Sequence, residues 1–90
     1  MRVIYKYKLK LEDEQKIEMP FGSKLLCVQM QDDVPCLWAD VDPDCSATEH
    51  RKILIIGTGH KNEALPCATY ISTFQMSNGA LVFHVFEDER

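Results

Sequence analysis

The sequence predicts a mainly β protein, either a small antiparallel barrel or a compact two-layer sandwich of about six to seven short strands. Apolar and polar residues alternate with a period of two in several segments, and turn-forming residues recur roughly every eight to twelve positions. No stretch keeps apolar residues at helical spacing over three turns, so we expect at most one short helical turn. The pattern leaves barrel and sandwich both open.

The first half of the chain predicts two hairpins. Residues 2–11 alternate as strand β1, and after the acidic turn Glu12–Glu14 the segment Gln15–Met19 alternates as its hairpin partner β2. Lys24–Gln31 carries apolar residues on both sides and predicts a central strand β3. Cys36–Asp42 alternates again and predicts β4, the hairpin partner of β3.

The second half predicts three more strands. Lys52–Ile56 predicts β5, because the continuous apolar run within it, Ile53–Ile56, is typical of a strand covered on both faces. Thr69–Met76 and Leu81–Phe86 are rich in β-branched and aromatic residues and predict β6 and β7. Asn78-Gly79 between them predicts a hairpin with a type I′ turn, because both residues tolerate positive φ.

Length and composition predict one β domain over residues 1–90. The 90 residues are 46% hydrophobic, and the formal net charge is −4, so binding of duplex nucleic acid through its phosphates is not expected. Two polar segments are expected outside the sheets: a surface loop over Asp42–His50 and a solvated or frayed end over Glu87–Arg90.

The compartment is predicted from the cysteines and the N-terminus. The opening residues interleave bases with apolar residues, unlike a signal peptide, and no apolar run approaches the roughly 20 residues that span a bilayer. We therefore expect no membrane contact, and reduced thiols in a cytoplasm, over the alternative of a secreted two-disulfide framework. The four cysteines form no C-x-x-C pair; they are Cys27, Cys36, Cys45 and Cys67.

A glycine turn follows β5 and carries the candidate ligand site. The stretch Ile53–His60 resembles a strand entering a phosphate-binding loop, but Asn62 replaces the third glycine of a dinucleotide fingerprint and Pro66 prevents a following helix. A hydroxyl, an imidazole and an ammonium group close in sequence suit phosphate or carboxylate. The candidate ligand-binding residues are Thr58, His60 and Lys61.

Metal and catalytic constellations are incomplete. Asp40, Asp42 and Asp44 are spaced like the start of a calcium loop, but the sixth position is Cys45 instead of glycine and the twelfth is Arg51 instead of glutamate. We predict no metal site, no cofactor and no assigned catalytic residue. A small hydrolase or nucleotide-processing enzyme in a barrel mouth is the alternative, using His60, His84 or Cys67.

The charges and the apolar surface suggest partners. Bases on one side of β1 predict edge protection or an anionic partner; they are Arg2, Lys6, Lys8 and Lys10. An acidic patch would suit a basic surface of a host protein; it comprises Asp32, Asp33, Asp40, Asp42 and Asp44. Because β3, β5 and β7 are apolar on both sides, part of the second face is predicted to meet another subunit in a homodimer.

The chain also resembles a family of small proteins of unknown function encoded by bacteriophages and prophages. The matching strings are Tyr5–Leu9, Ile17–Gly22, Leu37–Ala39, Val41–Pro43, Gly57–His60, Thr73–Gln75 and Gly79–Phe86. The resemblance implies a phage context and action in the cytoplasm of an infected bacterium. It suggests a non-enzymatic accessory protein that masks a host protein or sequesters a small anionic defence signal; a structural virion component is the third possibility.

Overall fold

The computed structural model describes residues 1–90 and contains seven strands and two 3-10 turns. The strands are β1 Val3–Lys8, β2 Glu14–Pro20, β3 Lys24–Gln31, β4 Val34–Val41, β5 Thr48–Gly57, β6 Ala68–Met76 and β7 Leu81–Asp88. The 3-10 turns, one more than expected, are Leu65–Cys67 and Ser77–Gly79. No helix in the structure is long and apolar enough to cross a lipid bilayer.

The strands form two antiparallel sheets that are not closed into a barrel. One sheet has the order β1-β4-β3 and the other has the order β2-β5-β7-β6. The mainly β prediction is confirmed, and of its two forms the structure has the open, two-layer one. The shortest dimension of the molecule, 16 Å, fits two packed layers.

The core lies between the two sheets. It is built from the inward residues of alternating strands, which are the positions that the period of two selects. The fully enclosed cluster comprises Leu9, Met19, Val28, Leu37, Ile53, Ile55, Phe74 and Val85. At one side the sheets are joined directly, because Ser72 Oγ of β6 accepts the backbone N–H of Val28 of β3 at 2.8 Å.

The predicted hairpin of β1 and β2 is wrong. β1 pairs with β4 and β2 pairs with β5, so the acidic turn crosses from one sheet to the other. Leu9 is buried at this crossing and its N–H donates to the carbonyl of Pro35 at 2.8 Å, while the carbonyl of Asp13 accepts from Ile55 at 3.1 Å. The crossing gives each sheet an edge strand, and it places Leu9 in the shared core.

The hairpins β3–β4 and β6–β7 are confirmed, and the residues at both tips have the positive φ values that a type I′ turn requires. Asp32 and Asp33 both have positive φ (51° and 64°) in the two-residue β3–β4 turn, as a type I′ turn requires. The β6–β7 loop has four residues, since Met76 pairs with Leu81. At its centre Asn78 (φ 56°, ψ 35°) and Gly79 (φ 88°) both have the predicted positive φ, and the Ala80 N–H donates to the Ser77 carbonyl at 3.1 Å across them.

The polar segments are more ordered than predicted. β5 begins at Thr48, inside the expected loop, because backbone pairing with β2 aligns Thr48 with Pro20. The expected frayed end is also wrong for Glu87 and Asp88, which belong to β7. The Glu87 carboxylate forms two hydrogen bonds with the guanidinium of Arg51, and Asp88 is buried. Charge pairing therefore fixes residues that composition alone marks as solvated.

The outer face of β5 is covered by the chain itself. Leu54 and Ile56 point away from the main core and pack with Ala64 in a second cluster. Leu65, Ala68 and Phe86 lie against that cluster. The continuous apolar run of β5 is thereby explained within one subunit, which removes one of the reasons for expecting a homodimer. The homodimer itself stays a prediction.

Candidate functional site

The candidate ligand-binding residues lie in the turn that leaves β5. Gly59 has φ 86°, which a residue with a side chain adopts only with strain, and the His60 N–H donates to the Gly57 carbonyl at 3.0 Å. This turn folds the His60 ring back onto Gly57. A Cβ at position 57 would lie 3.0 Å from His60 Nδ1, so a larger residue at this position would push the imidazole away by a few tenths of an ångström.

His60 lines three adjoining cavities at this end of the sandwich. Their volumes are about 320, 120 and 80 Å³, and Gly57 and His60 line all three. Thr58 lines the largest and Lys61 lines the one of 120 Å³. The largest is at the lower end of the range for small-molecule sites. The three predicted residues are therefore near one another, but it is His60 that connects Thr58 to Lys61.

The hydroxyl of Thr58 takes part in a chain of hydrogen bonds on the outer face of the four-stranded sheet. Thr58 Oγ1 lies 2.8 Å from His84 Nε2, and His84 Nδ1 lies 3.0 Å from Thr73 Oγ1. Thr73 Oγ1 in turn lies 2.8 Å from the Tyr70 hydroxyl. Both ring nitrogens of His84 are thus engaged, and the hydroxyls of Thr58 and Thr73 hold the imidazole in a fixed orientation.

The protons of this chain have a consistent direction. The Thr58 hydroxyl also lies 3.4 Å from the Val82 carbonyl, to which it can only donate. In that arrangement His84 donates from Nε2 to Thr58 and accepts at Nδ1 from Thr73, which accepts from Tyr70. A neutral imidazole with its proton on Nε2 satisfies every partner.

Thr73 and Tyr70 were missed by the sequence reasoning, although a signal for Thr73 exists. A hairpin centred on Asn78-Gly79 places Thr73 directly opposite His84, and the structure has this pairing. Tyr70 could not be placed in the same way. A bulge between Tyr70 and Ser72 shifts the register of β6 and turns Tyr70 opposite Phe86.

The residues of the enzyme alternative are not brought together. Gly57 pairs with Phe83 and Ile56 with His84, so the ring of His60, stacked on Gly57, and the ring of His84 lie on opposite faces of the sheet. Cys67 is exposed near the far end of β7, about 13 Å along the strand from His84. All four cysteines are free thiols, and no three His, Cys, Asp or Glu side chains cluster as metal ligands would.

The candidate acidic patch is divided between the two ends of β4. Asp32 and Asp33 form the β3–β4 turn, whereas Asp42 lies beyond the other end, nine residues from Asp33 and roughly 25 to 30 Å away along an extended chain. Asp40 is paired with Arg2 at 2.7 Å, and the Asp42 carboxylate accepts the N–H of Asp44 at 3.0 Å. The five carboxylates therefore do not form one surface.

The largest cleft lies between the two hairpin tips and was not predicted. Its volume is about 610 Å³, and Met30, Asp33 and Met76 contribute to its wall with the β6–β7 loop. Its charged side chain is a carboxylate, and no cation lines it. This cleft does not suit the anionic ligand that the sequence suggests.

The fold and the site define a small two-sheet β protein with a histidine-lined depression at one open end. The chain belongs to the family described as a domain of unknown function (DUF7352), whose model matches residues 1–90. No curated protein and no solved structure matches it.

Proposed function

We propose that this protein acts by binding, without catalysis, and that it sequesters a small anionic ligand at the depression around His60. The observation that carries the proposal is the position of the His60 ring, which lies on Gly57 and lines all three adjoining cavities. Lys61, which carries an ammonium group, lines one of these cavities, and Thr58 lines another, although its hydroxyl is bonded to His84 on the outer face. These groups are donors of the kind that hold phosphate and carboxylate.

Sequestration of a small anion is better supported than masking of a host protein. Masking of a host protein would need one acidic surface, but the five aspartates are divided between the two ends of β4, and Asp40 is paired with Arg2. The depression, in contrast, keeps Thr58, His60 and Lys61 at one end of the sandwich. The volume of the largest of the three cavities therefore supports a small ligand, one that occupies about 320 Å³ or less.

The test is thermal unfolding with inorganic phosphate and with a panel of mononucleotides, cyclic nucleotides and dinucleotides. At a ligand concentration 100 times the Kd, binding to the folded state adds about 2.7 kcal/mol, which raises the Tm of a domain of this size by roughly 10 to 20 °C. His60→Ala and Lys61→Ala should each reduce the rise. Lys16→Ala, an exposed lysine on β2, is the matched control and should leave it unchanged.

The outcomes separate the possibilities. A rise in Tm with inorganic phosphate alone indicates a simple anion site. A rise in Tm with only one class of nucleotide identifies that class as the sequestered ligand. The proposal is contradicted if no ligand raises the Tm. It is also contradicted if Lys16→Ala reduces the ligand-induced rise in Tm as much as His60→Ala and Lys61→Ala do.

A second candidate is hydrolysis at Thr58, and one observation favours it. The Thr58 hydroxyl lies 2.8 Å from His84 Nε2, and His84 Nδ1 lies 3.0 Å from Thr73 Oγ1. In the opposite tautomer to the one described above, with the proton on Nδ1 and donated to Thr73, Nε2 is free to act as the base for Thr58, and Thr73 is the orienting group. The third group is a neutral hydroxyl in place of a carboxylate. Turnover of an activated ester that disappears in Thr58→Val and in His84→Gln would establish this function in place of the first.

The phage context belongs to the same proposal and is supported by the strings that resemble phage-encoded proteins. The protein should then accumulate in infected bacterial cells and remain in the soluble cytoplasmic fraction. Its presence in purified particles instead would assign it to the virion. Mass spectrometry of both fractions distinguishes the two.

A further inference from the structure

The outer face of the three-stranded sheet lies on the side away from the core that the two sheets share. Leu37 of β4 is in the core, so its neighbours Cys36, Trp38 and Asp40 point to the opposite side. Directly opposite residues of antiparallel strands share a face. Lys6 and Cys27, which flank Trp38 from β1 and β3, therefore lie on this outer face with it.

The charge of this outer face is opposite to that of the whole protein. Ile4 and Lys24 flank Asp40, while Lys8 and Gln29 flank Cys36. The single carboxylate, Asp40, is neutralised by Arg2 at 2.7 Å. The remaining cations are Lys6, Lys8 and Lys24. Three uncompensated positive charges are thus gathered on one flat surface of a protein whose net charge is −4.

Trp38 lies at the centre of these charges. It is half-buried, and its neighbours on this face from β3 and β4 include the small side chains of Cys27 and Cys36. The Lys6 ammonium group reaches across to the Gln31 amide oxygen at 2.7 Å, which holds its charge above the sheet. An aromatic ring surrounded by cations on an open sheet is the arrangement that binds unpaired bases and phosphates.

We propose that this outer face binds single-stranded nucleic acid, with a base stacked on Trp38 and phosphates on Lys6, Lys8 and Lys24. The site is separate from the depression at His60 and does not depend on the function proposed there. Extension of the sheet at the β1 edge by a second copy of the chain is disfavoured. Antiparallel pairing of two β1 strands would bring the Lys6 and Lys8 side of one copy against the Arg2 side of the other, and like charges directly opposite are destabilising.

The test uses Trp38, the only tryptophan, as the reporter. Oligo-dT and oligo-rU of about 12 nucleotides, within the site sizes of single-strand-binding sheets, are titrated into the protein at low salt. We expect saturable quenching of the tryptophan fluorescence. The logarithm of the binding constant should fall with the logarithm of salt concentration with a slope of about −2, as three phosphate contacts on a single strand require.

Charge reversal on the two edge strands provides the matched comparison. Lys6→Glu on β1 and Lys16→Glu on β2 alter the net charge equally, and both lysines are exposed. Lys6→Glu should weaken binding about tenfold or more, because an attractive contact with a phosphate is replaced by a repulsive one. Lys16→Glu should change the affinity by less than about twofold once the effect of the altered net charge is subtracted. Thermal melts confirm that both variants fold.

Several results would overturn this proposal. They are the absence of quenching, a salt-independent affinity, equal weakening by Lys6→Glu and Lys16→Glu, binding of a duplex as tightly as a single strand, or light scattering that shows a dimer with Trp38 buried. His60→Ala should leave the oligonucleotide titration unchanged, so failure of the His60 site and failure of this face are distinguishable.

Discussion

The ion pair of Arg51 and Glu87 provides a quantitative test of what holds β5 to β7. Arg51 donates to both carboxylate oxygens of Glu87, and Nη1 also donates to the Ser23 carbonyl at 2.6 Å. The side chains are 17% and 13% exposed. Hydrogen bonding to Glu87 raises the pKa of Arg51, so the guanidinium stays protonated throughout the accessible pH range.

Arg51→Met removes the cation and leaves the Glu87 carboxylate enclosed without its partner. Breaking a buried ion pair in this way should cost about 3 kcal/mol, the lower end of the measured range, because both side chains keep some contact with solvent. A 90-residue domain has a total unfolding free energy of roughly 5 to 13 kcal/mol. The Tm should accordingly fall by roughly 12 to 24 °C.

The measurement is thermal and urea unfolding of four proteins: the parent, Arg51→Met, Glu87→Leu and the double variant. The double variant should recover most of the loss, since no enclosed charge remains without a partner. The control is Arg2→Met, which breaks the Arg2–Asp40 pair at 2.7 Å, where the side chains are 46% and 32% exposed. It should cost about 0.2 to 1 kcal/mol. Equal losses for Arg51→Met and Arg2→Met would refute the reasoning that burial sets the cost.

Three further predictions concern the hydrogen bond that joins the two sheets, the C-terminus and the β3–β4 turn. Ser72→Ala should cost about 1 to 3 kcal/mol, because the buried N–H of Val28 loses its acceptor; faster hydrogen exchange at Val28 is the local readout, and an unchanged rate would contradict it. Hydrogen bonds from Arg90 lower the pKa of Asp88 below its ordinary value of 3.8, so its stabilising effect is complete above that value and is lost as pH falls through the folded-state pKa. Asp88→Asn should therefore flatten the decline of Tm between pH 5 and pH 2 (about the range of carboxylate titration), and a decline as steep as in the parent would argue against this role. Replacing the Asp32-Asp33 turn by Asn-Gly should raise the Tm by a few degrees, about 1 kcal/mol, because Gly adopts positive φ without strain; a lower Tm would show that the aspartates stabilise the turn in another way.

The strands could be predicted from the sequence because the period of two follows directly from burial of one face. Their partners could not all be predicted. The acidic segment Glu12–Glu14 has the same composition whether the chain folds back in one sheet or crosses to the other. The crossing places Leu9 in the core between the sheets, where most of the residues it clusters with lie far along the chain, and no local pattern around Glu12–Glu14 marks this.

The candidate site was predicted in part for a related reason. Thr58, His60 and Lys61 are close in sequence, but successive residues of a turn point in different directions. Thr58 joins His84 on the outer face, whereas His60 lies on the Gly57 side. The contact with Tyr70 depends on a bulge in β6, and nothing local in the sequence marks that bulge.

The crossing between β1 and β2 also has a consequence for how the chain folds. Each of the first two strands is an edge strand whose neighbour in its sheet lies more than 25 residues ahead, since Lys8 pairs with Cys36 and Pro20 pairs with Thr48. The entropy cost of closing such long loops comes before any stabilisation by strand pairing. We therefore expect folding on a timescale of milliseconds to seconds. During synthesis on the ribosome, β1 and β2 remain without partners until β4 and β5 have emerged.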